Sequence, residues 1–264
     1  MKLAVLAIGT VLAASPAVSG VRFLSARELP SGGFAEQNAT AYPQLTAWSV
    51  LGLRAAGSAS SDATDRYLAA HDRELTSATD LALAVMAERD PAAALVRLRA
   101  LRRPSGSYGT LVNGTAWAVI ALRGHVPRAT IRWLLARQTR GGGWGWNGAP
   151  DSNDTAAVVQ ALRAAGVTGK PIRRALAFLL TYRNRDGGFE LTRGRGSDAQ
   201  STAWAVQAFL AARHQPPRGA LAYLRALQRP DGSFRYSRRY VTTPVWVTAQ
   251  VLPAIARKPF PLRR

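Results

Sequence analysis

A repeated motif constrains the fold of this chain more strongly than its length or composition. In the clearest copy, Trp133 and Leu134 are followed at fixed spacings by Gln138, Gly142 and Trp144. Copies of this frame are centred on Leu24, Leu68, Leu98, Leu134, Leu179 and Leu224. Some copies carry Glu or Arg in place of the glutamine, and the second lacks the glycine–aromatic ending. The intervals of 44, 30, 36, 45 and 45 residues are typical of repeat proteins built from helix pairs.

The segments between these anchors predict two kinds of helix. Segments that carry the leucine anchor, such as 172–182, place Arg on one side and Leu, Ala and Phe on the other. Segments after the glycine–aromatic turn, such as 202–211, are apolar nearly all round, which is typical of a helix buried on every side. Ser, Thr and Asp where the apolar segments begin predict N-caps at those positions.

The order of these helices predicts an all-α fold, namely an α6/α6 toroid of six helix-pair repeats with an inner and an outer ring. The chain starts with an amphipathic segment and ends with an apolar one, so the last apolar helix would find its outer partner in the first repeat. Closure removes the need for capping repeats, whereas an open arc would leave that apolar helix exposed. We expect one toroid domain over residues 20–258 and a basic C-terminal tail over 259–264.

The N-terminus has the order of regions found in secretion signals. Lys2 precedes an apolar run over residues 3–14, and small residues follow over 15–20. This order predicts a signal peptide over residues 1–19 and a secreted or extracytoplasmic protein. The alternative is that the segment is simply the first helix of the fold. The run is too short to span a bilayer as a helix, and no other stretch is apolar enough to enter a membrane.

The charge balance indicates a strongly basic surface. The chain has 35 Lys and Arg residues against 15 Asp and Glu residues, a net charge of +20. Such a surplus favours anionic partners, of which an anionic cell-envelope surface is the candidate here. The alternative is a solvated basic exterior, since the arginines are spread over all repeats. Nucleic acid is disfavoured as a partner because the chain shows neither a recognised module nor a stripe of alternating basic and aromatic residues.

Cysteine and histidine usage argues against metal chemistry. The chain has no Cys, which excludes disulfides, thiolate metal sites and a Cys nucleophile. Its three histidines, His71, His125 and His214, do not lie three or four residues apart. We therefore expect no zinc site built by the protein, and no cofactor is implied.

The anchors from Trp133 to Trp144 resemble those of the QW-repeat family, which includes squalene and oxidosqualene cyclases, class II diterpene cyclases and, more distantly, protein prenyltransferase beta subunits. The resemblance extends from about residue 21 to residue 256 and implies an α6/α6 toroid. In that family the glutamine braces the start of the next helix while the aromatic residue stacks beside it. The prenyltransferase zinc site, held by Asp, Cys and His, has no counterpart here because the chain has no Cys.

A second segment, residues 150–156, looks like the Asp-x-Asp-Asp-Thr-Ala motif of class II cyclases. In those enzymes the middle Asp protonates an alkene or an epoxide, which requires a carboxylic acid kept protonated beside an apolar cavity. Asn153 occupies that position here, whereas Asp151 and Asp154 match the motif. The resemblance therefore implies the architecture without the proton donor, and it leaves Asp151 and Asp154 as candidate catalytic residues.

Each candidate acid also has a structural interpretation. Asp154 would serve as the N-cap of the fourth inner helix, at a place like those of Ser201 and Thr115 in other repeats. Asp198 and Asp80, near equivalent helix starts, are substitute candidates for the acid, and the same capping role would explain them.

Four tryptophans are the candidate ligand-binding residues, together with Asp198. Trp48, Trp117, Trp204 and Trp246 fall at places that correspond in the sequence pattern of four repeats. They would line an apolar cavity inside the inner ring, or act as structural wedges between helices.

These observations support three hypotheses about function. The first is a secreted toroid that binds an apolar, isoprenoid- or lipid-like small molecule in its central cavity, without cyclase activity. The second is a terpene-cyclase-like enzyme of the class II, protonation-initiated kind that acts on a polyprenyl substrate. The third is an envelope-associated protein that interacts through its basic surface. The step from fold to function rests on analogy in each case.

Overall fold

A computed structural model describes residues 15–123 and 125–262. The described residues contain helices and connecting turns, with isolated β-bridges only. The helices are α1 (Pro16–Ser25), α2 (Pro43–Ala55), α3 (Asp62–Ala70), α4 (Ala78–Ala87), α5 (Ala92–Ala100), α6 (Val112–Ala121), α7 (Arg128–Ala136), α8 (Ser152–Ala164), α9 (Lys170–Leu180), α10 (Ala199–Ala211), α11 (Ala220–Ala226) and α12 (Pro244–Ile255).

The even-numbered helices form a closed inner ring. Helices α2, α4, α6, α8, α10 and α12 pack against one another in that order, and α12 packs against α2. Each odd-numbered helix packs on the outside of this ring, and α1 contacts both α12 and α2. The predicted all-α toroid is confirmed, and so is its closure: α1 provides the outer partner of the last inner helix.

Burial distinguishes the two rings as the hydrophobic pattern predicted. The inner helix α6 is buried along almost its whole length. The outer helix α9 buries a single stripe, made of Ile172, Ala175, Leu176 and Leu179, and this spacing places one helix face against the inner ring.

A hydrogen bond that the sequence analysis did not anticipate ties each glycine–aromatic turn to the following inner helix. In five repeats the backbone N–H of the turn's aromatic residue donates to a threonine hydroxyl in that helix. The pairs are Phe34 and Thr46 at 3.0 Å, Tyr108 and Thr115 at 3.0 Å, Trp144 and Thr155 at 2.9 Å, Phe189 and Thr202 at 2.8 Å, and Phe234 and Thr248 at 2.9 Å. All five aromatic rings are buried. Thr46, Thr115, Thr155 and Thr202 therefore lie inside their helices and are not the N-caps that the pattern predicted, whereas Thr243, where the last apolar segment begins, does occupy the N-cap position of α12.

In the two repeats that carry glutamine, its side chain connects the turn to the next outer helix. The Nε2 of Gln138 donates to the carbonyl of Pro171 at the start of α9, at 2.9 Å. The Nε2 of Gln228 donates to the carbonyl of Pro16 at the start of α1, at 2.8 Å. The second bond joins the last repeat to the first, so the same contact that connects neighbours also closes the ring.

The first helix begins earlier than the predicted domain boundary. Helix α1 starts at Pro16, and the Ser15 hydroxyl caps it by accepting a hydrogen bond from the Val18 backbone N–H. Residues 16–19, assigned from sequence to a signal peptide, thus belong to α1, and the remainder of that prediction up to residue 14 lies outside the described residues. None of the described helices is both long and apolar enough to cross a bilayer.

The C-terminal segment, predicted from sequence to be a basic tail, packs against the toroid over its described residues. Phe260 is 3% exposed and Leu262 is 9% exposed. Both side chains pack into the hydrophobic core, as expected of the large apolar residues in a segment whose other residues are prolines and arginines. The described part of residues 259–264 therefore belongs to the toroid, while Arg263 and Arg264 lie outside the described residues.

Candidate functional site

Three of the four predicted tryptophans meet at the axis of the toroid. Trp48, Trp117 and Trp204 each follow the hydrogen-bonded threonine of their helix by two residues and come from alternate inner helices, α2, α6 and α10. The ring centroid of Trp117 lies 5.2 Å from the ring centroid of Trp48 and 5.5 Å from that of Trp204. All three side chains are buried. The centre of the ring is therefore closed at this level by aromatic side chains.

A fourth ring reaches the axis from the C-terminal segment. The Phe260 ring lies 6.2 Å from Trp48 and 5.6 Å from Trp117, measured between centroids. Its backbone N–H donates to Oε1 of Gln160 in α8 at 3.0 Å. Trp48, Trp117, Trp204 and Phe260 are called the axial cluster below. Phe260 is the one member of the cluster that lies outside the inner helices, and because it belongs to no repeat, the repeat pattern did not point to it.

Trp246 departs from the equivalence that the pattern predicted. It lies two residues before Thr248, the hydrogen-bonded threonine of α12, and not two residues after it. It is only half-buried, near the mouth where the inner helices begin. Its ring centroid lies 6.4 Å from that of Tyr42, on which it stacks, and 6.2 Å from that of Trp48, so it borders the axial cluster on one side only. Gln250 takes the equivalent place in α12, and its Oε1 accepts a hydrogen bond from Nε1 of Trp204 at 3.2 Å.

The inner helices around the axial cluster carry buried polar atoms that the fold does not use. Nε1 of Trp117, Oε1 of Gln207 and Nε2 of Gln250 have no hydrogen-bond partner among the described residues. A buried polar group left without a partner costs about 1–3 kcal/mol. The buried centre is thus mainly aromatic, with a few donors and acceptors available to a polar group.

The acidic candidates lie at the mouth formed by the inner-helix N-termini. Asp151 is the N-cap of α8, since its Oδ1 accepts a hydrogen bond from the backbone N–H of Asp154 at 2.8 Å. The prediction of Asp154 as the N-cap is therefore wrong by one helical turn. Oδ1 of Asp154 accepts from Nδ2 of Asn113 at 2.9 Å, and Oδ1 of Asn113 accepts from the Thr79 hydroxyl at 3.3 Å. These bonds link α4, α6 and α8.

The environment favours the protonated forms of both acids. Burial, followed by the charge of Asp154, raises the pKa of Asp151 to about 6. Burial also raises the pKa of Asp154, although the hydrogen bond from Asn113 opposes this effect. Asn153, between them, accepts a hydrogen bond from the Ser152 hydroxyl at 3.3 Å. An amide at this place cannot donate a proton as a carboxylic acid would.

Asp151→Asn is expected to remove a pH dependence of the free energy of unfolding. The folded protein retains a proton on Asp151 up to about pH 6, whereas the unfolded chain releases it near about pH 3.9. The stabilisation is therefore complete below about pH 4 and is lost as the pH rises towards 6. Asparagine caps a helix as well as aspartate does, so α8 keeps its cap. Urea unfolding of both proteins from pH 4 to pH 7 measures the difference, and identical pH profiles would contradict the assignment.

Asp198 belongs to a separate part of the mouth. It is the N-cap of α10, where its carboxylate accepts from the backbone N–H of Ser201 at 2.7 Å and from the Ser201 hydroxyl at 2.8 Å. Burial raises its pKa. Asp80 lies in the first turn of α4, which Ser77 caps. Within residues 15–123 and 125–262, no group of three or more His, Asp or Glu side chains could hold a metal ion.

The sequence matches no protein-family profile and no curated protein. Solved structures nevertheless share its fold. A type II terpene cyclase from Scytonema, in complex with geranylgeranyl dihydroxybenzoate, aligns at a TM-score of 0.66 with 17% identity over 91% of this chain and 95% of the cyclase. An ent-copalyl diphosphate synthase from Streptomyces platensis aligns at 0.55 with 20% identity over 81% of this chain and 50% of that chain.

A different class of enzyme has a similar fold. A glycosidase in complex with glucose aligns at a TM-score of 0.59 with 12% identity, covering 92% of this chain and 97% of the glycosidase. At these identities the similarities establish the terpene-cyclase-like toroid and nothing finer, because one fold can host unrelated chemistries.

Proposed function

We propose that this protein binds an apolar, isoprenoid-like molecule at the axial cluster. One observation carries the proposal: the Phe260 side chain, an apolar group from outside the ring of inner helices, is inserted among the tryptophans. A site that accepts the benzyl group of a residue from the segment after α12 has the size and chemistry to accept part of an apolar ligand. The geranylgeranyl ligand of the Scytonema cyclase suggests the ligand class.

A ligand would reach the axis by displacing Phe260. The segment after α12 is held by few polar contacts, among them the bond from the Phe260 backbone N–H to Gln160 and the bond from Nη2 of Arg123 to the Leu262 carbonyl, at 3.0 Å each. Releasing them leaves the inner helices intact. A hydroxyl or other polar end on the ligand would find Nε1 of Trp117 and Nε2 of Gln250 without partners.

The proposal includes binding without cyclisation, because Asn153 occupies the place of the proton donor. We expect the protein to bind geranylgeraniol saturably, observed as a change in tryptophan fluorescence, and to release no cyclic product from squalene or geranylgeranyl diphosphate. Trp146→Ala is the control for the fluorescence measurement, since this side chain is 67% exposed and lies outside the axial cluster. Absence of saturable binding would contradict the proposal.

The raised pKa values of Asp151 and Asp154 favour a second candidate, a protonation-initiated isomerase or cyclase acting on a polyprenyl substrate. In this alternative one of these two carboxylic acids supplies the proton that Asn153 cannot. Cyclic product from the unaltered protein, lost in Asp154→Asn or Asp151→Asn, would establish it in place of simple binding.

We also propose that the chain is exported, with a leader that ends before Ser15, the residue that caps α1. The Pro16 carbonyl accepts the hydrogen bond from Gln228 that joins the last repeat to the first, so cleavage after residue 19 would remove this contact. N-terminal sequencing of the protein recovered outside the cell tests both the export and the position of cleavage. A mature chain that starts at residue 20 would contradict the proposed cleavage position.

A further inference from the structure

A pocket separate from the axial cluster opens at the rim of the mouth. It lies between the loop before α10 and the loop before α12, and its volume is about 570 Å³. This is within the range of small-molecule sites. The residues that line it include Arg195, Arg238, Arg239, Tyr223, Tyr236 and Tyr240. We call it the rim pocket.

The wall that carries two of the arginines is a tight turn. The Ser237 hydroxyl accepts hydrogen bonds from the backbone N–H groups of Arg239, at 3.3 Å, and Tyr240, at 3.1 Å. The Ser237 backbone N–H donates to the Tyr240 carbonyl at 3.2 Å. These bonds hold Arg238 and Arg239 at the tip of the turn before any ligand arrives.

The facing wall is fixed to the same region. The Tyr223 hydroxyl donates to the Ser197 carbonyl at 2.7 Å. The Ala199 backbone N–H donates to the Tyr236 carbonyl at 2.7 Å, which joins the two loops. Because both walls are hydrogen-bonded to their surroundings, the pocket does not have to be ordered by its ligand.

The charged groups of the pocket leave the guanidinium groups of Arg238 and Arg239 without an ion pair in the part of the chain that the structure describes. Arg195, Arg238 and Arg239 form no ion pair with any described residue. The two carboxylates nearby are already engaged. Oδ1 of Asp186 accepts from the Ser197 hydroxyl at 2.8 Å, and Asp198 is a buried helix cap. Arg195 is hydrogen-bonded to the Tyr236 side chain. An incoming anion would therefore meet two cations, Arg238 and Arg239, that have no competing ion pair among the described residues.

The tyrosines add flat apolar surfaces beside these cations. The guanidinium carbon of Arg238 lies 6.0 Å from the centroid of the Tyr223 ring, and that of Arg239 lies 5.3 Å from the centroid of the Tyr240 ring. Guanidinium groups match the geometry of phosphate oxygens and stack on planar groups. The combination suits a ligand with an anionic phosphate at one end and a ring at the other.

We propose that the rim pocket binds an organic phosphate with a ring-shaped body. The inference is independent of the apolar site, since the two share no residue. The phosphate could belong to a soluble phosphate ester or to a phospholipid headgroup, and both present the same group to the arginines.

Phenyl phosphate is the probe, titrated calorimetrically into the full chain. We expect saturable binding, weakened about tenfold or more in the double variant Arg238→Gln with Arg239→Gln, since each loses a charge-assisted bond. Arg102→Gln with Arg103→Gln is the matched control. This adjacent pair lies in the corresponding loop before α6, outside the rim pocket. Replacing it with glutamine lowers the net charge by the same amount as replacing Arg238 and Arg239. Thermal unfolding of both double variants checks that each is folded.

Equal weakening in the two double variants would overturn the proposal, because it would show attraction by net charge alone. Absence of phenyl phosphate binding to the unaltered protein would overturn it as well. Retention on phosphatidylglycerol vesicles separates the two sources of the phosphate. A loss of retention confined to the Arg238 and Arg239 variant supports a lipid headgroup, whereas phenyl phosphate binding with unchanged retention supports a soluble ester.

Discussion

Phe260→Ala is expected to lower the free energy of unfolding by about 3–5 kcal/mol, the usual cost of truncating a buried aromatic side chain. The ring is 3% exposed and contacts two tryptophans of the axial cluster. Removal of the ring leaves a cavity. The surrounding inner helices cannot move in to fill it, because each of them packs against a neighbour on both sides. Urea unfolding followed by circular dichroism measures the loss.

The control for this variant is Trp146→Ala, which removes a larger ring that is 67% exposed. We expect the free energy of unfolding of this control to stay within about 0.5 kcal/mol of that of the unaltered protein. Phe260→Ala should also bind geranylgeraniol more tightly than the unaltered protein, because the ligand no longer has to displace a ring. A stability loss no larger than that of the control would show that Phe260 does not occupy the axis in solution, and the proposed function would lose its main support.

Gly32→Ala is expected to destabilise the protein by about 2–5 kcal/mol, the sum of a left-handed backbone penalty and an overpacking penalty. Gly32 has a φ of +87°, and a Cβ atom there would lie 2.1 Å from the backbone carbonyl carbon of Ala63 in α3. The turn needs glycine because the next outer helix passes directly against it. Thermal and urea unfolding measure the effect.

Gly57→Ala separates the two contributions. Gly57 has a similar φ of +83°, but a Cβ atom there would have no neighbour within 4 Å. We expect this control to cost only the backbone penalty of about 1–2 kcal/mol. Equal losses in the two variants would mean that the turn and α3 are not in the close contact that the structure shows.

The repeat could be recognised in the sequence because its packing requires particular residue types. A turn that abuts a helix backbone requires glycine, and the approach recurs at the ring closure, where a Cβ on Gly232 would lie 2.2 Å from the Ser19 carbonyl oxygen. A helix surrounded by other helices must be apolar on every side. These requirements made the helix order, the two rings and the closure predictable.

The roles of individual polar residues were less predictable. Asp151, Asp154 and Thr155 are all plausible helix caps by residue type. Only the structure shows that Asp151 is the cap, that Asp154 bonds to Asn113, and that Thr155 receives the N–H of Trp144. Each of these side chains can form hydrogen bonds with more than one neighbour. Which bond forms depends on groups that other parts of the chain bring within reach, such as the turn that contains Trp144.

The sequence by itself determined a closed all-α toroid and the absence of a carboxylic acid at position 153. Both depend on residue type and local period. Only the tertiary structure decided whether the ring is open at its centre. Trp48, Trp117 and Trp204 are separated by 69 and 87 residues, and Phe260 arrives from a segment that reads as a basic tail. Whether such rings meet depends on distances between helices, and no local pattern records those distances.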